Sequence, residues 1–256
     1  MPLLLTAVVI LCAFGALWGL SLLRRDASIV DPFWGPGFLL ITAVAFAVGP
    51  RGPRAVLILV LVAAWALRLG LYLLGRSRGH GEDFRYAAMR ARHGARFWWV
   101  SGLTVFATQA TLCWVISLPL QAAASSDKSL IWLDFLAVAI WAIGLLWEAV
   151  ADAQLARFKA HRTDPTAVMD IGLWAWSRHP NYFGEWLLWW GFFGVAVPAG
   201  GAWTVIAPLL MSGLLMRVSG VPLLEKKLAE RPAYRAYVER TPAFFPRPPK
   251  ATRSPR

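Results

Sequence analysis

Polar and ionisable residues recur at helical spacing inside runs that are otherwise apolar, and these positions are where chemistry has to be sought. The run at 55–75 carries Arg68 and Tyr72 four residues apart, with Trp65 one turn earlier on the same face. The run at 130–151 carries Glu148, with Asp152 four residues on, and Lys159 joins that face if the helix continues. The run at 181–199 opens with Asn181, Glu185 and Trp189 at i, i+4 and i+8, and Arg217 lies near the inner end of the last run. An ionisable group inside a membrane span costs at least ~2.5–3.5 kcal/mol, so such groups normally face a cavity and mark a functional path. Arginines, a lysine, an amide and indoles together suit a phosphate-bearing nucleotide, because guanidinium forks grip phosphates and rings stack. Neither the G-x-G-x-x-G nor the P-loop spacing occurs, so a nucleotide would be held without either element.

The elements that must position these residues follow from composition. Of 256 residues, 58% are hydrophobic and only 16% charged, which excludes an ordinary soluble domain. Glycine and proline are scattered, which excludes a collagen-like or disordered chain. A bilayer-crossing helix needs about 20 apolar residues, and seven runs qualify: 3–23, 33–50, 55–75, 98–121, 130–151, 181–199 and 202–222. The expected fold is all-α, an integral membrane bundle of seven transmembrane helices in one domain over 1–245, with a basic Pro-rich tail at 246–256. No basic residue precedes the first run, so it is expected to remain as a span rather than to be a cleaved signal.

The net charge of +12 has a simple source in this architecture. With seven spans, 21 of the 26 Lys and Arg fall in one set of loops and three in the other, with Arg68 and Arg217 inside spans. The basic set is then cytoplasmic, which predicts a multi-pass protein of a bacterial inner membrane with its N-terminus outside and its C-terminus in the cytoplasm. Membrane lipids, not nucleic acid, are the expected partners. Cys12 and Cys113 sit in separate apolar runs with no neighbouring histidine, so neither a disulfide framework nor a metal site is expected.

Residues 177–185 read Ser177-Arg178-His179-Pro180-Asn181-Tyr182-Phe183-Gly184-Glu185 where a basic loop enters the sixth run. This segment resembles the signature of the membrane family grouped with steroid 5-alpha-reductases, in its bacterial, functionally undefined branch. The resemblance extends over nearly the whole chain, through Asp31 to Phe38, Trp65 to Tyr72, Gly81 to Tyr86, and Tyr234, Tyr237 and Pro242 to Pro246. It implies a seven-helix enzyme of lipid metabolism, an oxidoreductase that binds NADPH in a cytoplasm-facing cavity and reduces a carbon–carbon double bond conjugated to a ketone in a lipophilic substrate. Asn181, Glu185 and Trp189 match the family's nucleotide-contacting face, Asp152 an acidic contact, Lys159 a usual arginine, and Arg68 with Tyr72 a pair on the third helix. Arg162, Arg178 and His179 are expected near the phosphates or adenosine. For the chemistry, Asp31 and Trp65 stand where the steroid reductases hold the ketone with Glu and Tyr. An indole can donate a hydrogen bond but no proton, so Asp31 is expected to act in its protonated form, with Tyr86 as second choice.

The runner-up is an S-adenosylmethionine-dependent methyltransferase, because the isoprenylcysteine and phospholipid methyltransferases share R-H-P-x-Y-x-G before a helix. They usually show a Glu pair where this chain has the single Glu225. A non-enzymatic scaffold or transporter is the third reading, and no pair of broken, inverted-repeat helices speaks for transport.

Overall fold

The computed structural model describes residues 2–249 except 80, 219, 229 and 230, with the side chain of Lys227 also outside the described part. Among the described residues the chain is helical, without strands. Two compact units form, one from residues 1–132 and 195–207, the other from 133–194 and 208 onward.

The first unit holds α1 (Pro2–Arg24), α2 (Val30–Val48), α3 (Pro53–Ser77), α4 (Phe84–His93), α5 (Phe97–Ser101), α6 (Thr108–Ile116) and α7 (Leu118–Ala124). The segment Asp31 to Phe38 is the beginning of α2, and its glycines explain themselves by packing. A Cβ on Gly35 would lie 2.8 Å from the Ala66 carbonyl of α3, and one on Gly37 would meet Cys113 Sγ at 3.3 Å. Pro36 sits inside the helix, where it lacks the N–H that would close the turn, and Gly70 of α3 makes room for its ring, which a Cβ there would meet at 3.2 Å. Trp18 of α1 donates from Nε1 to the Trp98 carbonyl at 2.8 Å, and its ring lies against Gly102. There the helix loosens into a π segment, Gly102–Ala107, between α5 and α6. At the other end of α3, Arg54 is completely buried, donating to the carbonyls of Lys128 (3.3 Å) and Ser129 (2.9 Å). One of the three basic residues counted in the sparse loops is therefore an internal tie, not a surface charge.

The second unit holds most of α8 (Trp132–His161), of α9 (Pro180–Ala196) and of α10 (Ile206–Gly213), together with α11 (Val221–Leu228) and α12 (Pro232–Arg240). Helices α8 and α9 run antiparallel at backbone contact. A Cβ on Gly194 would meet Ala137, one on Gly191 would meet Trp141, one on Gly184 would lie 2.5 Å from Glu148 N, and one on Gly144 would lie 2.5 Å from Leu188 N. Small residues let two helices approach this closely where lipid offers no hydrophobic drive for their association. Thirty residues make α8 about 45 Å long, more than the ~30 Å apolar core of a bilayer. Its last turns, with exposed Lys159 and His161, reach beyond that core.

Among the described residues, six helical stretches are long and apolar enough to cross a membrane: Pro2–Arg24, Ala27–Val48, Pro53–Ser77, Phe84–Ile116, Trp132–His161 and Ala202–Lys226. The stretch expected at 181–199 forms α9, whose 17 residues give about 26 Å. It stops early because the chain tightens into a 3₁₀ turn at Val197–Ala199, around Pro198, and Gly200 takes a left-handed φ of 92°.

Candidate functional site

Two polar centres emerge, one in each unit. In the first, the α3–α4 turn brings Glu82, Asp83 and Arg85 beside the start of α2. Asp31 is the focus: Oδ1 accepts from the Tyr86 hydroxyl at 2.7 Å and Oδ2 from Arg85 Nη2 at 2.5 Å. The Arg85 guanidinium also lies 5.2 Å from the Tyr86 ring centre and donates from Nε to Asp83 at 2.8 Å. Gln109 Nε2 reaches the Tyr86 oxygen at 3.5 Å. Asp31 is thus paired with the Arg85 guanidinium and accepts a hydrogen bond from the Tyr86 phenol. Behind it, Glu82 accepts from the Ala27 N–H (2.8 Å) and from Arg90 (2.7 and 2.9 Å). Burial alone would push the Glu82 carboxyl up, but the Arg90 and Ala27 hydrogen bonds outweigh it and hold it below its ordinary value. Asp83 is lowered in the same way, burial being overcome by its hydrogen bonds from Arg85.

The structure thus joins Asp31 directly to Tyr86. Trp65 is fully buried and packs its ring edge-on to Phe38 at 5.6 Å, as part of the apolar core. Arg68 and Tyr72 are half-buried on α3. A groove of about 370 Å³ opens between α1 and the π segment, lined by Phe14, Gly15, Trp18, Trp99 and Phe106 among other apolar residues. Phe14 in turn packs edge-on against Phe33, two residues from Asp31.

In the second unit the antiparallel register of α8 and α9 brings Asn181 onto Asp152, with Nδ2 donating to Oδ1 at 3.2 Å. Trp189 Nε1 donates to Glu185 Oε1 at 3.1 Å. Glu148, Asp152 and Glu185 are all buried, a density of carboxylates that a helix pair at membrane depth does not carry without partners. Lys159 is exposed near the end of α8, and Arg162, just past that end, donates to the Pro165 carbonyl at 3.3 Å. Arg178 and His179 are buried at the start of α9, both bonded to Glu225.

Sequence reasoning passed over Arg85 and Gln109, whose partners Asp31 and Tyr86 lie far along the chain, and Arg90, whose partner Glu82 is eight residues back, and it took Glu225 only as a mark against the methyltransferase reading. An acidic pair such as Glu82-Asp83 eight or fewer residues before two arginines was the available signal for the α3–α4 turn.

A chain whose described residues are all-helical, with six helices of membrane length among them and polar centres in its two units, is a multi-pass integral membrane protein. Residues 17–241 match the family described as "Protein of unknown function (DUF1295)", and the chain belongs to that family. It is also similar to an uncharacterized protein of Schizosaccharomyces pombe, with 25% identity over 265 aligned positions that cover 90% of this chain and 76% of that protein. No solved structure matches it.

Proposed function

We propose that the protein is a membrane-embedded, NADPH-dependent reductase of a conjugated enone double bond in a lipid-like or steroid-like substrate. The observation that carries this reading is the Tyr86 hydroxyl held at 2.7 Å by Asp31, with Arg85 balancing the carboxylate. Reduction of an enone builds negative charge on the ketone oxygen, which needs a donor aimed at it. Rotation about its C–O bond turns the Tyr86 proton from Asp31 toward such an oxygen. Asp31 then serves to orient the phenol, and the phenolate left behind regains its proton from water. The 370 Å³ apolar groove beside the π segment suits the hydrocarbon body of a substrate arriving sideways from the bilayer.

NADPH, when bound, supplies the hydride. The residues of the second unit fit such a group in part. Asn181 and Glu185 offer amide and carboxylate contacts for the nicotinamide or its ribose, Trp189 lies on the same face and Asp152 steadies Asn181, while Lys159 and Arg162 suit phosphates. Arg178 and His179 fit less well as phosphate ligands, because Glu225 already answers them. Resemblance to the steroid 5-alpha-reductase family also supports a seventh crossing by α9, which sets the N-terminus outside and the C-terminus in the cytoplasm.

The test is purified protein with NADPH and a panel of short enones and 3-keto-Δ4 steroids, following cofactor oxidation. Loss of a positioned acid typically costs about 10²–10⁴-fold in rate, so Tyr86→Phe should fall by that much while nucleotide affinity holds. Tight binding of S-adenosylmethionine, with no enone accelerating NADPH oxidation, would transfer the assignment to the methyltransferase class.

A further inference from the structure

Glu225 of α11 receives two donors on a single oxygen: Arg178 Nε at 2.7 Å and His179 Nε2 at 3.2 Å both meet Oε1. A carboxylate only accepts, so His179 carries its proton on Nε2. The other arms of Arg178 hold the C-terminal segment, Nη1 donating to the Thr241 (2.5 Å) and Val238 (3.3 Å) carbonyls and the backbone N–H to Pro242 O at 2.9 Å. Ser177 Oγ adds a bond to Phe244 O at 2.8 Å, and Arg247 N one to Trp176 O at 2.9 Å. Arg178 is 9% exposed and His179 3%. Burial alone would pull the guanidinium down, yet the Glu225 bond holds it above its ordinary value. The buried Tyr234 phenol alongside is pushed up to about 12 by burial and then by the negative charge of Glu225.

The consequence lies one turn along. His179 O accepts from Phe183 N at 3.1 Å, closing the first turn of α9, and Asn181 stands within that turn on Asp152. Glu185 follows a turn later. We propose that Glu225 is a positioning residue, which acts through Arg178 and His179 to fix the first turn of α9 and with it the directions of Asn181 and Glu185 toward the nucleotide. This rests on the NADPH reading, and it moves Arg178 and His179 from phosphate contacts to supports of the backbone.

Two readouts on the full chain in nanodiscs decide it: hydrogen exchange of the 178–185 amides, which needs no ligand, and NADPH affinity. Glu225→Gln should raise exchange at Arg178 and Phe183 and weaken NADPH about tenfold, the size of one charge-assisted bond. Glu225→Asp should restore most of both, and Glu239→Gln, exposed on α12, should change neither. Should Glu225→Gln yield no folded protein, Arg178→Lys carries the test, with the same rise in exchange expected. Exchange equal to wild type in either variant, an Asp variant no better than Gln, or raised exchange with unaltered NADPH affinity each overturns the proposal. Wild-type protein that binds no NADPH overturns the nucleotide reading instead and takes the proposal with it, a result the exchange arm keeps distinct from a failure of Glu225 to hold the turn.

Discussion

At Asp31, one carboxylate serves two donors of different kinds, and substitutions there should separate their duties. Asp31→Asn keeps an acceptor for the phenol but removes the charge facing Arg85. It should lower reductase activity less than Tyr86→Phe does, and a reversed order would assign the acid role to Asp31 after all. The neighbouring turn answers to pH. Glu82 and Asp83 both ionise below their ordinary values in the folded protein, so their stabilisation is complete above the ordinary value, 4.5 for Glu82. It is lost as pH falls through the lowered folded values. Melting temperature in nanodiscs should therefore hold steady at neutral pH and drop in acid, and Glu82→Gln should flatten that acid limb while lowering the plateau. Asp31 was legible through the family resemblance, which put it where a substrate-holding carboxylate stands, and Tyr86 as a nearby phenol able both to donate and to accept. Arg85 was not, because one arginine among six in a basic loop looks like topology until its partner is located.

Among elements, the α8–α9 pair offers the sharpest mechanical contrast. Gly184→Ala places a Cβ 2.5 Å from Glu148 N, so backbones must separate, and overpacking of this kind costs about 1–3 kcal/mol. Gly19→Ala on α1, where nothing lies within 4 Å of the new methyl, should leave the melt unchanged or raise it slightly. Equal melts for the two variants would mean that the helix crossing is looser than described. The i, i+4 spacing of Glu148 with Asp152, and of Asn181 with Glu185, marked a polar face on each of these helices in the sequence, but not that the two faces meet. The early stop of α9 and the π segment were not legible, because both depend on how neighbouring turns are packed. Hydropathy counts apolar residues without regard to where hydrogen bonding changes step.

For the molecule as a whole, membrane class was open to reading from composition alone, while the division into two units was not, since residues 195–207 join the first unit across a long stretch of sequence. Orientation is the decisive question at this scale. If α9 crosses, the termini lie on opposite faces, and reporters fused to each end should give opposite signals, cytosolic at the C-terminus. Signals from the same face would leave six crossings. Arg54 marks where charge counting stops being reliable: a buried guanidinium bonded to two carbonyls says nothing about which side of a membrane its loop occupies.

The lacing of residues 174–179 to 237–247 also bears on how the chain is made. Synthesis delivers residues in order, and domains generally fold as units with the N-terminal parts first. The first turn of α9 emerges some sixty residues ahead of the carbonyls of Thr241, Pro242 and Phe244 that hold its loop. Until residues 241–244 have emerged, Arg178 lacks its carbonyl partners, and the loop before α9 stays unlaced. A ribosome stalled short of Thr241 should thus hold a nascent chain whose helices are inserted but whose second centre is not yet built.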